Sequence, residues 1–365
     1  MKIKSIVFAV ASTLSMTALA DNTSVDSAEI QKAIQLLEQK GYQIDNPSES
    51  KKASPPGVQL KQYQAGTIDA FISGDIGRSR YKSNFQDISS DTTTSRVTDS
   101  SYKIRGSFAY QDPSKLGVQF DAVYSQDDIK NAKFTTVDLA GHAFYRNDKF
   151  LLGMFGQYRK PRIHVGSSGD YSAENGVYRN FVADLLTPEQ VFFGGEAQGY
   201  FGDLTLTGQL ARQEFVNQQN FNSDDNSTDK IYKHGIVATA KANYFINDNW
   251  KVTAGYTYNN TDLAENVSYD NHKFSVGTEY RLANYPVSFY GDYVHNRFKF
   301  DYSDSNYSDF TPKQDTDAIM VGLKFNFGSE SLKSRDRTGA SLDPISTSGA
   351  GQWLGNQLQS SSWYD

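Results

Sequence analysis

Apolar and polar residues alternate one by one along many segments between Thr67 and Phe327. The last segment shows the pattern best, since Ile319, Val321 and Leu323 begin an every-second-residue apolar series that ends at Phe327. A period of two residues is that of a β-strand whose two faces differ in polarity. The chain is therefore predicted to be all-β over this region.

Twelve segments fit the alternating template and are predicted as strands. They lie at Thr67–Tyr81, Ser101–Tyr110, Lys115–Tyr124, Lys133–Tyr145, Lys149–Tyr158, Glu189–Tyr200, Asp203–Gln213, Lys230–Phe245, Asn249–Tyr258, Val267–Arg281, Pro286–Phe300 and Asp315–Phe327. Tight connections such as Phe201-Gly202 alternate strictly with long polar ones, which indicates an up-and-down meander with a short-turn end and a long-loop end. That layout is typical of a transmembrane antiparallel up-and-down β-barrel of about twelve strands.

The longest connection, Arg159–Pro188, leaves two alternatives open. It either folds into the pore as a constriction, or forms an ordinary outer loop or an extra hairpin, and the hairpin would give fourteen strands. The residues expected to act in a constriction are five of its charged ones: Arg159, Arg162, Asp170, Glu174 and Arg179.

The mean hydropathy of −0.58 and the 38% hydrophobic content are compatible with a barrel, because only alternate residues of each strand meet lipid. The 23 Tyr and 23 Phe residues supply aromatic girdles for both membrane interfaces. A soluble sandwich or propeller would also alternate. It would not be expected to rim its apolar faces with aromatic residues or to alternate tight turns with long loops.

The ends of the chain carry other signals. Residues 1–20 combine Lys2 and Lys4 with an apolar stretch and Ala18-Leu19-Ala20, which predicts a secretory signal peptide. Residues 21–45 are predicted as a periplasmic helix, 46–66 as a linker, 67–328 as the barrel, and the Ser- and Gly-rich residues 329–365 as a flexible periplasmic tail. The predicted location is the outer membrane of a Gram-negative bacterium.

Removing the two lysines of the signal peptide leaves 34 of the 36 Lys and Arg residues against 42 acidic residues, a formal charge of −8. Nucleic acid is therefore not an expected partner. The absence of cysteine excludes disulfides and thiolate sites. Asp224, Asp225 and Asp229 offer carboxylate oxygens to a calcium ion, but their spacing favours a solvated loop, and no metal or cofactor is expected.

Charged residues fall consistently on the face opposite the apolar one, where they avoid a cost of roughly 2–4 kcal/mol each in hydrocarbon. We predict the following as pore-lining: Lys103, Arg105, Asp121, Asp138, Arg146, Glu196, Lys241, Lys251, Lys273, Glu279, Asp292 and Lys324. Both signs occur in similar number. The lumen is therefore either a wet path with mild ion selectivity or an interior closed by ion pairs.

The final strand, Ile319-Met320-Val321-Gly322-Leu323-Lys324-Phe325-Asn326-Phe327, resembles the terminal assembly signal of Gram-negative outer-membrane porins. Together with the signal peptide and the meander it makes residues 67–327 similar to that architecture. The tail residues Ser331–Pro344 are similar to the ends of some uncharacterised porin-like proteins. Porins typically end at the final aromatic residue, whereas this chain continues to Asp365.

Two histidines, His142 and His272, lie in segments that partly match the motifs of outer-membrane hydrolases. His142-Ala143-Phe144 lacks the serine of the His-x-Ser motif of outer-membrane phospholipases. Asp270 and His272 have the local spacing of an omptin-like pair, but their parity with Phe274 places them on the lipid side. No enzymatic activity is expected.

The sequence thus predicts a porin that forms a narrow diffusion channel for small polar or charged solutes. The alternatives are a non-conducting structural or surface-interaction barrel of the adhesin or receptor type and, less favoured, an outer-membrane hydrolase. The expected partners are membrane lipid, lipopolysaccharide, the barrel-assembly machinery and small solutes, while assembly with further copies of the chain stays open.

Overall fold

A computed structural model of the chain describes residues 66–86, 92–129, 132–165, 188–217, 221–222, 228–229, 232–263, 267–302 and 313–347. The predicted signal peptide, the helix at 21–45 and most of the linker lie outside these residues. So do Asp170, Glu174 and Arg179 of the longest connection, and Asp224 and Asp225. The interpretations made for them stay predictions.

Twelve strands form one closed antiparallel barrel, as predicted. They are β1 (Thr67–Gln86), β2 (Thr92–Gln111), β3 (Leu116–Ile129), β4 (Ala132–Arg146), β5 (Phe150–Val165), β6 (Glu189–Phe201), β7 (Leu204–Val216), β10 (Tyr232–Asn247), β11 (Trp250–Leu263), β12 (Val267–Arg281), β13 (Val287–Tyr302) and β14 (Lys313–Phe327). Two short strands, β8 (Phe221–Asn222) and β9 (Thr228–Asp229), pair with each other between β7 and β10, outside the barrel. β1 closes the ring by pairing with both β2 and β14.

Several strands continue further toward the long-loop end than the alternation predicts. β2 begins at Thr92 instead of Ser101, and β5 ends at Val165 instead of Tyr158. Backbone pairing does not need an apolar face once the strands have left the hydrocarbon layer, so the period-two signal fades before the hydrogen-bonded ladder does. Arg159 and Arg162, expected in a loop, are consequently strand residues of β5.

The apolar face of each strand points outward, as the parity predicted. Met154, Ile319 and Phe120 are 69%, 62% and 59% exposed, whereas the lumen-facing Asp121 and Gln119 are buried. Exposed large aromatic residues such as Trp250 and Tyr285 lie next to the tight turns. This apolar outer surface is what a hydrocarbon layer covers, and the polar side chains are enclosed within the ring. Among the described residues, no helix combines the length and the apolar character needed to cross a membrane.

The chain does not leave the barrel after Phe327. Gly328 has φ +100°, and a Cβ at this position would lie 2.3 Å from the Ile68 carbonyl oxygen. The chain then enters the lumen at the short-turn end, where Ser331 caps helix α1 (Leu332–Thr338). The prediction of a flexible tail is therefore wrong for residues 329–347, which we call the tail segment. The remainder, 348–365, lies outside the described residues.

Candidate functional site

Residues 340–347, the inner segment, pack against apolar side chains that point into the lumen. Three residues of the inner segment, Ala340, Leu342 and Ile345, are buried to 4% exposure or less. Their apolar neighbours come from seven strands and form three groups: Phe71 and Ala109 around Ala340; Phe144, Leu151 and Tyr200 around Leu342; Phe155, Phe192, Ala211 and Val237 around Ile345. Each burial removes an apolar side chain from water and contributes about 1.5–3 kcal/mol for the larger residues.

Two glutamines hold the backbone of the inner segment in the same way. The Leu342 N–H donates to Gln119 Oε1 at 3.2 Å, and Gln119 Nε2 donates to the Leu342 carbonyl at 2.7 Å. Gln157 makes the equivalent pair with Ile345, at 2.7 Å from the Ile345 N–H and 2.9 Å to its carbonyl. The two side-chain amides thus replace the partner strand that an extended segment would otherwise need.

Asp343 lies between these two residues and is bound by two cations of the wall. Arg105 and Lys241 both form a salt bridge with its carboxylate. Arg105 is itself held by Asp121 at 2.7 Å and also donates to the Leu342 carbonyl at 2.8 Å. Because Asp121 fixes the guanidinium, the position that receives the Asp343 carboxylate is defined by the barrel wall.

Two further arginines bind carbonyl groups of the tail segment. Arg146 donates to the Gly339 carbonyl at 2.8 Å, and Arg159 donates to the Ile345 carbonyl at 2.7 Å. Arg159 also pairs with Asp138 at 2.6 Å, so its charge is compensated by the wall. Orphan carbonyls of an extended chain in the barrel interior are satisfied in this way.

Helix α1 closes the short-turn end. Arg335 pairs with Glu279 at 2.9 Å, and Asp336 accepts from Asn243 at 2.9 Å. At the turn between β6 and β7, Lys333 donates to Asp203 at 2.7 Å, and this hydrogen bond lowers the pKa of the Asp203 carboxyl. The helix is therefore attached to the barrel at β12, at β10 and at the turn between β6 and β7.

The buried His142 lies between two carboxylates, Asp121 and Glu196, which accept hydrogen bonds from Gln119 and Gln209. Its Nδ1 lies 2.9 Å from Glu196 and its Nε2 lies 3.5 Å from Asp121. Gln119 donates to Asp121 at 2.8 Å, and Gln209 donates to Glu196 at 3.1 Å and to the Asp343 carbonyl at 2.9 Å. The cluster thus orients the side chains that bind the inner segment.

A cavity of about 530 Å³ remains in the lumen beside the inner segment. Its wall includes polar and charged side chains of β10 to β13, among them Lys241, Thr257, Lys273 and Asp292. Eight basic residues line it: Lys103, Arg105, Arg159, Arg162, Lys241, Lys251, Lys273 and Lys324. Six acidic residues line it: Asp75, Asp127, Asp138, Glu279, Asp292 and Asp343. The lining of the cavity therefore carries a small excess of basic residues.

The residues predicted to line a pore divide into two groups. Nine of them line the cavity: Lys103, Arg105, Asp138, Lys241, Lys251, Lys273, Glu279, Asp292 and Lys324. Asp121, Arg146 and Glu196 are buried around the tail segment. Arg159 and Arg162, expected in a constriction loop, line the cavity from β5. A role in solute passage stays a prediction for all of them.

Sequence reasoning missed the residues that receive the tail segment. Phe71, Phe144, Phe155 and Phe192 occupy lumen parity, in step with charged neighbours such as Asp69. Large apolar residues on a face otherwise reserved for polar ones are the signal that was available. They indicate a second apolar surface inside the barrel that another part of the chain must cover.

The two residues compared with an omptin-like pair lie among the tyrosines of β11. The Tyr256 hydroxyl is 2.8 Å from His272 Nδ1, and Tyr258 donates to Asp270 at 2.9 Å. Both tyrosines belong to the apolar face of that strand, so the parity argument against a lumen-facing pair agrees with these contacts.

Comparison with known proteins gives a family model and several solved structures. The model of the Opacity family porin proteins matches residues 193–282. The translocator domain of the autotransporter NalP from Neisseria meningitidis is 11% identical, covers 84% of this chain and 100% of its own, and has a TM-score of 0.42. An outer-membrane channel from Pseudomonas putida F1 is 11% identical over 74% of this chain and 100% of its own, with a TM-score of 0.44.

A FadL homologue from Pseudomonas aeruginosa is 10% identical over 71% of this chain and 90% of its own, with a TM-score of 0.40. Structural similarity at these levels transfers no function, and a comparison with curated protein sequences finds no match. The outward apolar face and the closed ring describe a transmembrane β-barrel of the Gram-negative outer membrane, which the Opacity-model match makes similar to porins.

Proposed function

We propose that the barrel is a narrow diffusion channel for small polar or charged solutes, with a path that runs beside the inner segment. The observation that carries this proposal is the cavity of about 530 Å³ that the tail segment leaves unfilled. Its volume falls within the range of about 300–1,000 Å³ typical of small-molecule sites. Small solutes therefore fit beside the tail segment, and large ones do not.

The proposed path follows the walls of β10 to β13. Thr257, Ser275 and Asp292 offer hydroxyl and carboxylate groups along it, and Lys273 adds a cation. Such groups replace part of the hydration shell of a passing solute. The excess of basic over acidic lining residues favours anions mildly.

Planar-bilayer recording of the pure folded protein tests the proposal. We expect small discrete conductance steps and a reversal potential in a salt gradient that indicates a weak preference for anions. A folded protein that gives no steps would overturn the channel and would favour the non-conducting structural or receptor-like barrel. The non-conducting barrel is favoured by one observation, the many hydrogen bonds and salt bridges that hold the tail segment inside the lumen.

A further inference from the structure

The strands that contact the inner segment form a continuous recognition surface, which we call the tail-binding wall. It consists of the inward side chains of β1 to β7, with Val237 and Lys241 from β10. We propose that this wall is a binding site for an extended peptide with an acidic residue between two apolar ones. Residues 340–347 are then its tethered occupant, and a peptide of the same chemistry can take their place.

The tail-binding wall binds the backbone of the inner segment through side-chain amides. Gln119 and Gln157 each bind the N–H and the carbonyl of one residue, three positions apart. Bonds of this kind do not depend on the side chain of the bound residue. In extended-peptide recognition, main-chain hydrogen bonds supply affinity while pockets for side chains supply specificity.

Two apolar pockets of the tail-binding wall hold side chains of the inner segment. Leu342 fills a pocket floored by Phe144 and Leu151, and Ile345 fills one floored by Phe155 and Phe192. Pro344, which lines the cavity between them, suits an extended backbone because its φ is fixed near that of polyproline. The two pockets therefore select apolar residues at a spacing of three.

Arg105 and Lys241 form a clamp that binds the Asp343 carboxylate from two sides. Asp121 holds Arg105 from the wall side at 2.7 Å, so one of the two cations is positioned before the carboxylate arrives. Positioned cations of this kind bind carboxylates selectively. Along the wall, the pocket for Leu342 is followed by the clamp for Asp343 and then by the pocket for Ile345. A bound peptide should therefore carry an apolar residue, an acidic residue and a second apolar residue in this order.

Because the inner segment is tethered, we expect a free peptide to bind the native chain only weakly. A segment joined by a short connection reaches an effective concentration in the millimolar range at its own site. A free peptide at micromolar concentration is then about a thousandfold less concentrated than the tethered segment at the site, and it cannot displace that segment when the two bind equally well. The tail segment must be released before the wall is open to a peptide in trans.

The test uses the full chain with Leu342→Ala, Asp343→Lys and Ile345→Ala, which removes both anchors and reverses the clamped charge. The probe is a fluorescent peptide with the sequence of residues 339–347, followed by anisotropy in detergent. We expect a micromolar Kd for this variant and binding at least 100-fold weaker to the native chain. A probe with lysine in place of its aspartate should bind at least tenfold more weakly.

A matched variant adds Gln119→Leu and Gln157→Leu to the released chain and should lose at least tenfold in affinity. Equal binding of the aspartate and lysine probes, or no binding to a released chain whose strand content is intact, would overturn the proposal. If the triple variant does not fold, the single Asp343→Asn chain is titrated with the same probes, and the same ordering is required. The readout does not need ion flow, so its result is independent of whether the barrel conducts.

Discussion

The salt bridges of Asp343 should decide how often the tail segment leaves the lumen. Asp343→Asn removes the carboxylate that Arg105 and Lys241 share, while Arg105 keeps Asp121 and the Leu342 carbonyl. Hydrogen bonds to charged groups contribute about 1.5–3 kcal/mol each. The Asp343 side chain is 42% exposed, so solvent screening reduces this contribution. We expect a net loss of about 2 kcal/mol, which raises the undocked population about 30-fold.

Thiol labelling measures this population directly, because the chain contains no cysteine of its own. Ala340 is 4% exposed when the tail segment is docked, so an Ala340→Cys reporter reacts with a maleimide chiefly after undocking. The labelling rate should rise about 30-fold when Asp343→Asn is added. The matched control is Asp315→Asn, which breaks the 2.9 Å pair with Arg297 at the long-loop end and should leave the rate unchanged.

The reasoning fails if Asp343→Asn changes the labelling rate by less than twofold while the control is flat. That result would mean that the apolar anchors and the glutamines hold the tail segment without help from the charge. An equal rise in both variants would point to general loosening of the barrel instead of release at the clamp.

Three further predictions concern other parts of the lumen. Lys273→Glu should shift the reversal potential in a salt gradient toward a preference for cations, because Lys273 faces the cavity and its hydrogen bonds to the tail segment all go to Ser346. An unchanged reversal potential would count against the proposed path. Gly328→Val should raise labelling of the Ala340→Cys reporter at least tenfold, since a side chain there collides with the Ile68 carbonyl and φ +100° is strained; protection equal to that of the parent would contradict this view of the turn. Leu342→Ala should cost the docked state about 2–5 kcal/mol, seen as a labelling rise well above tenfold, whereas a small rise would show that the pocket collapses around alanine.

Most of the barrel could be predicted from the sequence because its signal is local. A strand with lipid on one side must alternate, and a turn of two to four residues needs Asn, Asp or Gly, so each is legible within a dozen positions. At the long-loop end the predicted strands are too short, since β2 already begins at Thr92 and β5 continues to Val165. The reason is that the apolar and polar alternation ends where the strand leaves the lipid. The closed order of twelve strands then follows from the strict alternation of turns and loops.

The inner segment could not be predicted in this way. Its contacts join Gln119 to Leu342 and Gln157 to Ile345, and nothing periodic relates residues so far apart in the chain. The lumen charges were placed on the right face, but the partners they choose depend on a segment that carries no strand pattern. Only the inward phenylalanines, such as Phe144, hinted that the interior had something to receive.

The position of Asp69 has a consequence for the order of folding. This residue on the first strand accepts hydrogen bonds from the Ser329 and Ala340 N–H groups, the second at 2.8 Å and across 271 positions of sequence. The same tail segment reaches Glu279 on β12 through Arg335. Asp69 and Glu279 come close together only when the seam between β1 and β14 has formed. We therefore expect both contacts of the tail segment to form only after the ring has closed, which makes complete docking a late step of folding.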